Sequence, residues 1–212
     1  RGLPRTAGHR AGSENFRTIA TYCRDIGIQY LTVYAFSTEN WKRPQGEVDT
    51  IMELLKKYLL EAIDTMERDN VRLHFMGDLS VLTEELRELT DQCNAISARL
   101  DGCLCSICIN YGGRAELVHA AQNFARDCLA GAVRPEDLTE DGLERYLYSG
   151  HIPSPDLLIR PGGEQRLSNF LLWQCAYSEF YFTDVLWPDF SKEELLRAIA
   201  DYQHRSRRFG GV

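Results

Sequence analysis

The chain has no run of about 18 consecutive apolar residues, which excludes a membrane-spanning helix. It also lacks an excess of positive charge: 24 Lys and Arg stand against 31 Asp and Glu, for a formal net charge of -7. A general nucleic-acid binder needs a basic surface to neutralise phosphates, so that class is excluded. There is no Walker A pattern and no Gly-x-Gly-x-x-Gly, so no nucleotide is indicated. No apolar stretch follows Arg1-Gly2-Leu3-Pro4-Arg5, so these residues are not a signal peptide. They do not include a starting Met either, and the sequence opens in mid-phrase. The seven cysteines are an odd number in a chain of 212 residues, which disfavours a secreted disulfide framework and favours cytosolic thiols. Cys103, Cys105 and Cys108 invite a zinc reading. They fall on a strand, however, where Cys103 and Cys105 face one way and Cys108 the other, and no fourth ligand follows at finger spacing. Buried packing thiols are the better reading.

What the sequence does contain is an alternation of helices and strands. Phe16, Ile19, Ala20 and Cys23 recur at helical spacing and predict a helix from Glu14 to Gly27. The β-branched and aromatic run from Gln29 to Phe36 predicts a strand. A long helix from about Glu47 to Asp69 carries the apolar face Ile51, Leu54, Leu55, Tyr58, Leu59, Ala62, Ile63 and Met66. Strands follow at Val71–Met76, Cys103–Tyr111, Asp156–Arg160 and Glu179–Phe182. Helices are expected at Leu82–Leu100, Ala115–Leu129, Leu138–Ser149 (opened by Thr139) and Asn169–Tyr177, with a terminal helix capped by Ser191. This order predicts a single α/β domain over residues 1–212: a mostly parallel sheet with helices on both faces.

Ligands in such folds bind in the loops at the C-terminal strand ends. Four loops stand there: residues 36–44, Gly77-Asp78, Asn110-Tyr111-Gly112-Gly113-Arg114, and the segment 160–169. Paired glycines let backbone N–H groups approach an anion, and Arg160, Arg166 and Ser168 would suit a phosphate or diphosphate. A tight turn with solvated arginines is the plainer alternative. Gly8-His9-Arg10-Ala11-Gly12, placed before the first helix and near Arg5, reads as an anion site or as ordinary capping. Glu179 sits in an aromatic stretch and needs a partner, for which an Arg is favoured over a metal ion. The apolar face of the long helix is core or ligand tunnel, with core the commoner outcome. The basic end Arg205-Ser206-Arg207-Arg208 is solvated or reaches an anionic site.

The stretches Tyr34-Ala35-Phe36-Ser37-Thr38-Glu39-Asn40-Trp41-Lys42-Arg43-Pro44 and Asp156 to Gln174 resemble the signatures of cis-prenyltransferases, and bacterial undecaprenyl diphosphate synthases above all. Tyr181 to Phe190 and Arg207-Arg208-Phe209-Gly210-Gly211 fit the same family. Trans-type prenyl synthases are all-helical with Asp-Asp-rich motifs, and no Asp-Asp pair occurs here. The resemblance implies a homodimeric α/β enzyme with an apolar tunnel. It would add isopentenyl diphosphate to an allylic diphosphate with Mg²⁺, making the lipid carrier of cell-wall glycan assembly. The enzyme would be cytoplasmic, at the inner membrane surface without crossing it. By resemblance, Arg160, Arg166 and Ser168, with Leu167 beside them, hold isopentenyl diphosphate, and Arg5 and His9 border the allylic diphosphate. Ser37, Asn40 and Arg43 flank the site of proton removal, with Asn40 the nominee for proton acceptor, and Thr38, Glu39 and Trp41 of the same loop count as substrate-binding. An amide is a poor base, so relay or orientation is the more sensible role for Asn40, with diphosphate the rival base. Glu179 would bind Mg²⁺, and Arg208 and Gly210 would reach the partner's diphosphate site.

Two departures from the pattern accompany the resemblance. The family's opening strand and its Asp-Gly-Asn-Gly-Arg-Trp-Ala loop are not in the sequence, so the expectation is an N-terminally incomplete domain with impaired activity. Pro161 stands where relatives often have Thr. Two alternatives share the fold: a non-catalytic partner subunit, disfavoured because the loop residues are present, and a synthase of short or branched isoprenyl diphosphates.

Overall fold

A computed structural model describes the backbone of residues 5–205 and the side chains from residue 7 onward. Helix α1 (Arg5–Asp25) leads into strand β1 (Tyr30–Ser37), a 3₁₀ turn (Thr38–Lys42) and the long helix α2 (Gln45–Asp69). Strand β2 (Val71–Met76), α3 (Glu84–Ser97), β3 (Cys103–Tyr111) and α4 (Gly113–Leu129) follow. The short α5 (Glu140–Glu144), β4 (Leu157–Pro161), β5 (Glu179–Thr183) and α6 (Lys192–His204) complete the order.

All strand pairings are parallel, as the helix–strand alternation requires. β3 lies between β1 and β2, while β4 and β5 form a separate pair. Flanked on both sides and covered on both faces, β3 is buried over its whole length, which is why it reads as a continuous apolar run. Its odd residues Cys103, Cys105, Ile107 and Ile109 enter the larger core, packed with Phe16, Ile19 and Cys23 of α1, Leu59 and Met66 of α2, and Leu86 and Cys93 of α3. Cys108 faces the smaller core, with Met76, Leu158, Leu171 and Cys175. The thiols of Cys103 and Cys105 lie 4.0 Å apart on one face, and every cysteine is a free thiol.

Two local irregularities re-aim side chains where the strands end. In β1 the pairing with β3 skips Ala35, so Tyr34 joins the smaller core while Phe36, two residues on, turns into the larger one. In β3 Asn110 is left-handed, with φ 46°, and Tyr111 thereby reaches the smaller core although its odd number assigns it to the larger. Simple alternation fails at both places.

Several boundaries differ from expectation. α1 starts at Arg5, so residues 8–12 lie within the helix and do not form a loop at its N-terminus. The helix expected over Leu138–Ser149 is regular only from Glu140 to Glu144, although Thr139 does cap it, accepting from the Gly142 N–H at 3.0 Å. The helix expected over Asn169–Tyr177 is a series of turns, because Asn169 (φ 65°) and Leu171 (φ 44°) are left-handed and cannot continue a right-handed helix. Ser191 caps α6 as expected, through the Glu194 N–H. The apolar face of α2 packs into the larger core, and the cavity beside it, between α1 and α2, has a volume of about 40 Å³.

Candidate active site

The four loops selected at the strand ends do meet, and asparagine side chains join them. Trp41 Nε1 donates to Asn110 Oδ1 at 2.8 Å, and Asn110 Nδ2 donates to the Asp78 carbonyl at 2.8 Å, so the loops after β1, β3 and β2 are tied in sequence. Asn169 Nδ2 donates to Glu39 Oε1 at 2.9 Å, while its Oδ1 accepts from the Arg114 N–H at 2.9 Å and its carbonyl from the Gly113 N–H at 2.7 Å. The loop after β4 is thereby fixed to those after β1 and β3. Asn40, at the centre of the 3₁₀ turn, accepts at Oδ1 from the Ser37 N–H at 3.0 Å. Thr38 packs close to Gly112, where an added Cβ would lie 2.8 Å from its hydroxyl oxygen.

Arginine and histidine side chains gather in two groups, each on a carboxylate of the chain. Arg160 Nη2 and Arg166 Nη2 both bind Glu164, the second at 2.7 Å. The hydrogen bond from Arg160, above all, holds the Glu164 carboxyl below its ordinary pKa. Arg43 Nη1 and His9 Nε2 both approach Glu47 Oε1, at 2.6 and 3.1 Å. Both carboxylates stand four residues after an arginine, Arg43 to Glu47 and Arg160 to Glu164, a spacing visible in the sequence but not singled out there. Ser168, exposed and left-handed at φ 50°, begins the strained run that includes Asn169 and Leu171. Leu167 packs against the smaller core.

The glycine pairs do not act as expected. The N–H groups of Gly162 and Gly163 donate to the Val185 and Thr183 carbonyls at 2.9 Å each, so they extend the β5 side of the fold and are not offered to a phosphate. Gly113 is covered by Leu172, 2.7 Å from where a Cβ would lie.

Glu179 has the arginine partner favoured from its sequence context: Arg205 Nη1 donates to its Oε2 at 2.7 Å. Among the described residues, no group of three or more His, Cys, Asp or Glu side chains is placed to hold a metal ion. Mg²⁺ is commonly held by one or two carboxylates together with substrate phosphates and water, so Glu179 could contribute to such a site only by giving up its bond to Arg205. Arg208 and Gly210, and the Arg5 side chain, lie outside the described residues.

Parallel strands between helices, with basic side chains at the C-terminal strand ends held on carboxylates of the same chain, define an α/β protein with a polar site formed by its strand-end loops. The family model described as putative undecaprenyl diphosphate synthase matches residues 1–210, and the chain belongs to this prenyltransferase family. It is 49% identical over 212 residues to the isoprenyl transferase of Clostridium perfringens, covering 100% of this chain and 84% of that one. Among solved structures it is similar to lavandulyl diphosphate synthase from Lavandula x intermedia, in complex with dimethylallyl diphosphate. The TM-score there is 0.95 at 38% identity, with 100% of this chain and 91% of that chain covered. A probable undecaprenyl diphosphate synthase from Campylobacter jejuni gives a TM-score of 0.82 at 36% identity, covering 100% of this chain and 95% of that one. The α/β fold with a parallel sheet and the resemblance to cis-prenyltransferases are thus both borne out.

Proposed function

We propose that this prenyltransferase elongates an allylic diphosphate of the farnesyl type with isopentenyl diphosphate, forming cis double bonds and a long-chain polyprenyl diphosphate. The observation that carries this reading is the convergence of Arg160 and Arg166 on the single carboxylate of Glu164. Two guanidiniums that can share one anion suit the oxygens of a diphosphate, and Arg presents a planar fork to them. Ser168, two residues after Arg166, is exposed on the same loop. His9, which the resemblance puts beside the allylic diphosphate, and Arg43, which it puts at the site of proton removal, meet at Glu47.

Breaking the allylic carbon–oxygen bond develops negative charge on the departing diphosphate, which fixed cations stabilise as it forms. The new carbon–carbon bond is completed by loss of a proton from the isopentenyl unit. Asn40 orients this step; its amide oxygen already accepts from the Ser37 N–H, and an amide is too weak a base to take the proton itself. The diphosphate is the better base. Mg²⁺ dependence belongs to the reading: Glu179, released from Arg205, would supply a carboxylate oxygen to the ion, which would neutralise diphosphate charge. A homodimer, release of product at a membrane surface and a role in cell-wall glycan assembly complete the proposal. No described helix is long and apolar enough to cross a membrane.

The test is incorporation of radiolabelled isopentenyl diphosphate into butanol-extractable polyprenol by the gene product, with and without Mg²⁺. No incorporation in the presence of Mg²⁺ would sink the reading. A second reading, synthesis of a short or branched isoprenyl diphosphate, draws on the TM-score of 0.95 to a lavandulyl diphosphate synthase. The mass of the product separates the two.

A further inference from the structure

Two asparagines hold the 3₁₀ turn, Asn110 at Trp41 and Asn169 at Glu39. Asn110, 8% exposed, accepts from the Trp41 indole and donates to the Asp78 carbonyl. Asn169 donates to Glu39 and accepts from the Arg114 N–H. Between Glu39 and Trp41 lies Asn40. Both gripping residues are left-handed, with φ 46° and 65°, a conformation that Asn tolerates better than most residues. Each is thereby held in a strained backbone whose side chain does a specific job, the pattern that marks functional loops. The Glu39 carboxylate is pushed up by partial burial, but hydrogen bonds from its own backbone N–H and from Asn169 outweigh this and leave it below its ordinary pKa. It is therefore a charged acceptor, and its hydrogen bond with Asn169 is of the stronger, charge-assisted kind.

We propose that Asn110 and Asn169 are paired positioning residues that fix the Thr38–Lys42 turn, and with it Asn40, for proton removal in the condensation. Neither needs to touch substrate. They act by tying one turn to three other strand ends, β2 through Asp78, β3 through Asn110 itself and β4 through Asn169. The inference rests on the elongation reading given above for the role of Asn40, whereas the grip itself is a property of the folded chain.

Glycine variants test it, because glycine accepts the left-handed backbone and removes only the side chain. Asn110→Gly, Asn169→Gly and the double variant are compared by thermal midpoint, by the Trp41 indole N–H resonance in ¹⁵N–¹H spectra, and by kcat and KM for isopentenyl diphosphate. The indole resonance is expected to move in Asn110→Gly. In each single variant kcat falls roughly 10- to 100-fold with KM within about twofold, since a small displacement of a positioned group carries such a loss. The double variant is expected to lose less than the product of the single losses, because both act through one turn. Asn110→Asp keeps an acceptor for the indole but loses the donor to the Asp78 carbonyl, so it is expected to hold the indole resonance near its native position with kcat between those of the unaltered protein and Asn110→Gly; Asn169→Gly, whose ties are separate, decides the matter if Asn110→Gly fails to fold. An unmoved indole resonance, an unchanged kcat, or multiplicative losses would each overturn the proposal. If the unaltered protein makes no polyprenol, the elongation reading fails by itself, and the indole resonance still shows whether the grip exists.

Discussion

Arg205 donates from Nη1 to Glu179 Oε2 at 2.7 Å, and so the carboxylate expected by resemblance to hold a metal is held by a cation of the chain. Glu179 is one-third exposed, at 33%, so the pair contributes little to stability, on the order of 1 kcal/mol or less. Arg205→Ala is therefore expected to leave the thermal midpoint almost unchanged. Calorimetric titration of Mg²⁺ into the protein without diphosphate is expected to show no tight site. A stoichiometric micromolar site would mean that Glu179 leaves Arg205 for the metal and that other ligands join it.

Arg160→Ala should raise KM for isopentenyl diphosphate by about 10- to 100-fold, since a hydrogen bond to a charged group is worth about 1.5–3 kcal/mol. The variant also leaves Arg166 as the remaining described partner of Glu164. Steady-state kinetics at saturating allylic substrate measures this directly. An unchanged KM would remove Arg160 from the diphosphate site.

Six of the seven cysteines are buried, and Cys128 alone is half-exposed. Burial, with a smaller contribution from Cys103, pushes the Cys23 thiol up to about 12, and burial pushes Cys93 up to about 11. Such thiols stay protonated and unreactive near neutral pH. Reaction with a chromogenic disulfide is expected to titrate one thiol rapidly in the native protein and all seven in denaturant. Rapid reaction of several would contradict the packing of β3.

His74 carries a lowered pKa, first because it is buried and then because the His151 ring lies 5.1 Å away, against the opposing effect of its hydrogen bond with the Tyr148 carbonyl. The folded state thus takes up the proton less readily than the unfolded chain, whose His titrates near pH 6.5. Stability is full above that pH and declines as the pH falls below it toward the lowered folded value. Chemical denaturation between pH 7.5 and about 5 is expected to show this decline, and His74→Phe to reduce it. An identical slope in the variant would place the effect elsewhere.

Much of this was legible in the chain. The parallel α/β order followed from alternating periods, and the opposed faces of Cys105 and Cys108 from a period of two. The four strand-end loops followed from topology alone. The bulge at Ala35 and the left-handed Asn110 were not legible, because a one-residue change in register depends on which partner strand supplies the pairing. The same holds for the segment after Ser168: its composition suits a short helix, but the left-handed Asn169 is bonded to residues 39, 113 and 114, more than 50 positions away in sequence.

The sequence by itself determined the class of fold, the family and the cationic residues at the strand ends, since these depend on local pattern and on motifs carried in order. Only the tertiary structure decided how those residues are engaged. It put Glu164 between Arg160 and Arg166, Glu47 between His9 and Arg43, and Arg205 on Glu179, and it turned the glycine N–H groups toward neighbouring carbonyls. Ion pairs and loop contacts are choices among many partners of similar chemistry, and the packed position of each strand end makes the choice.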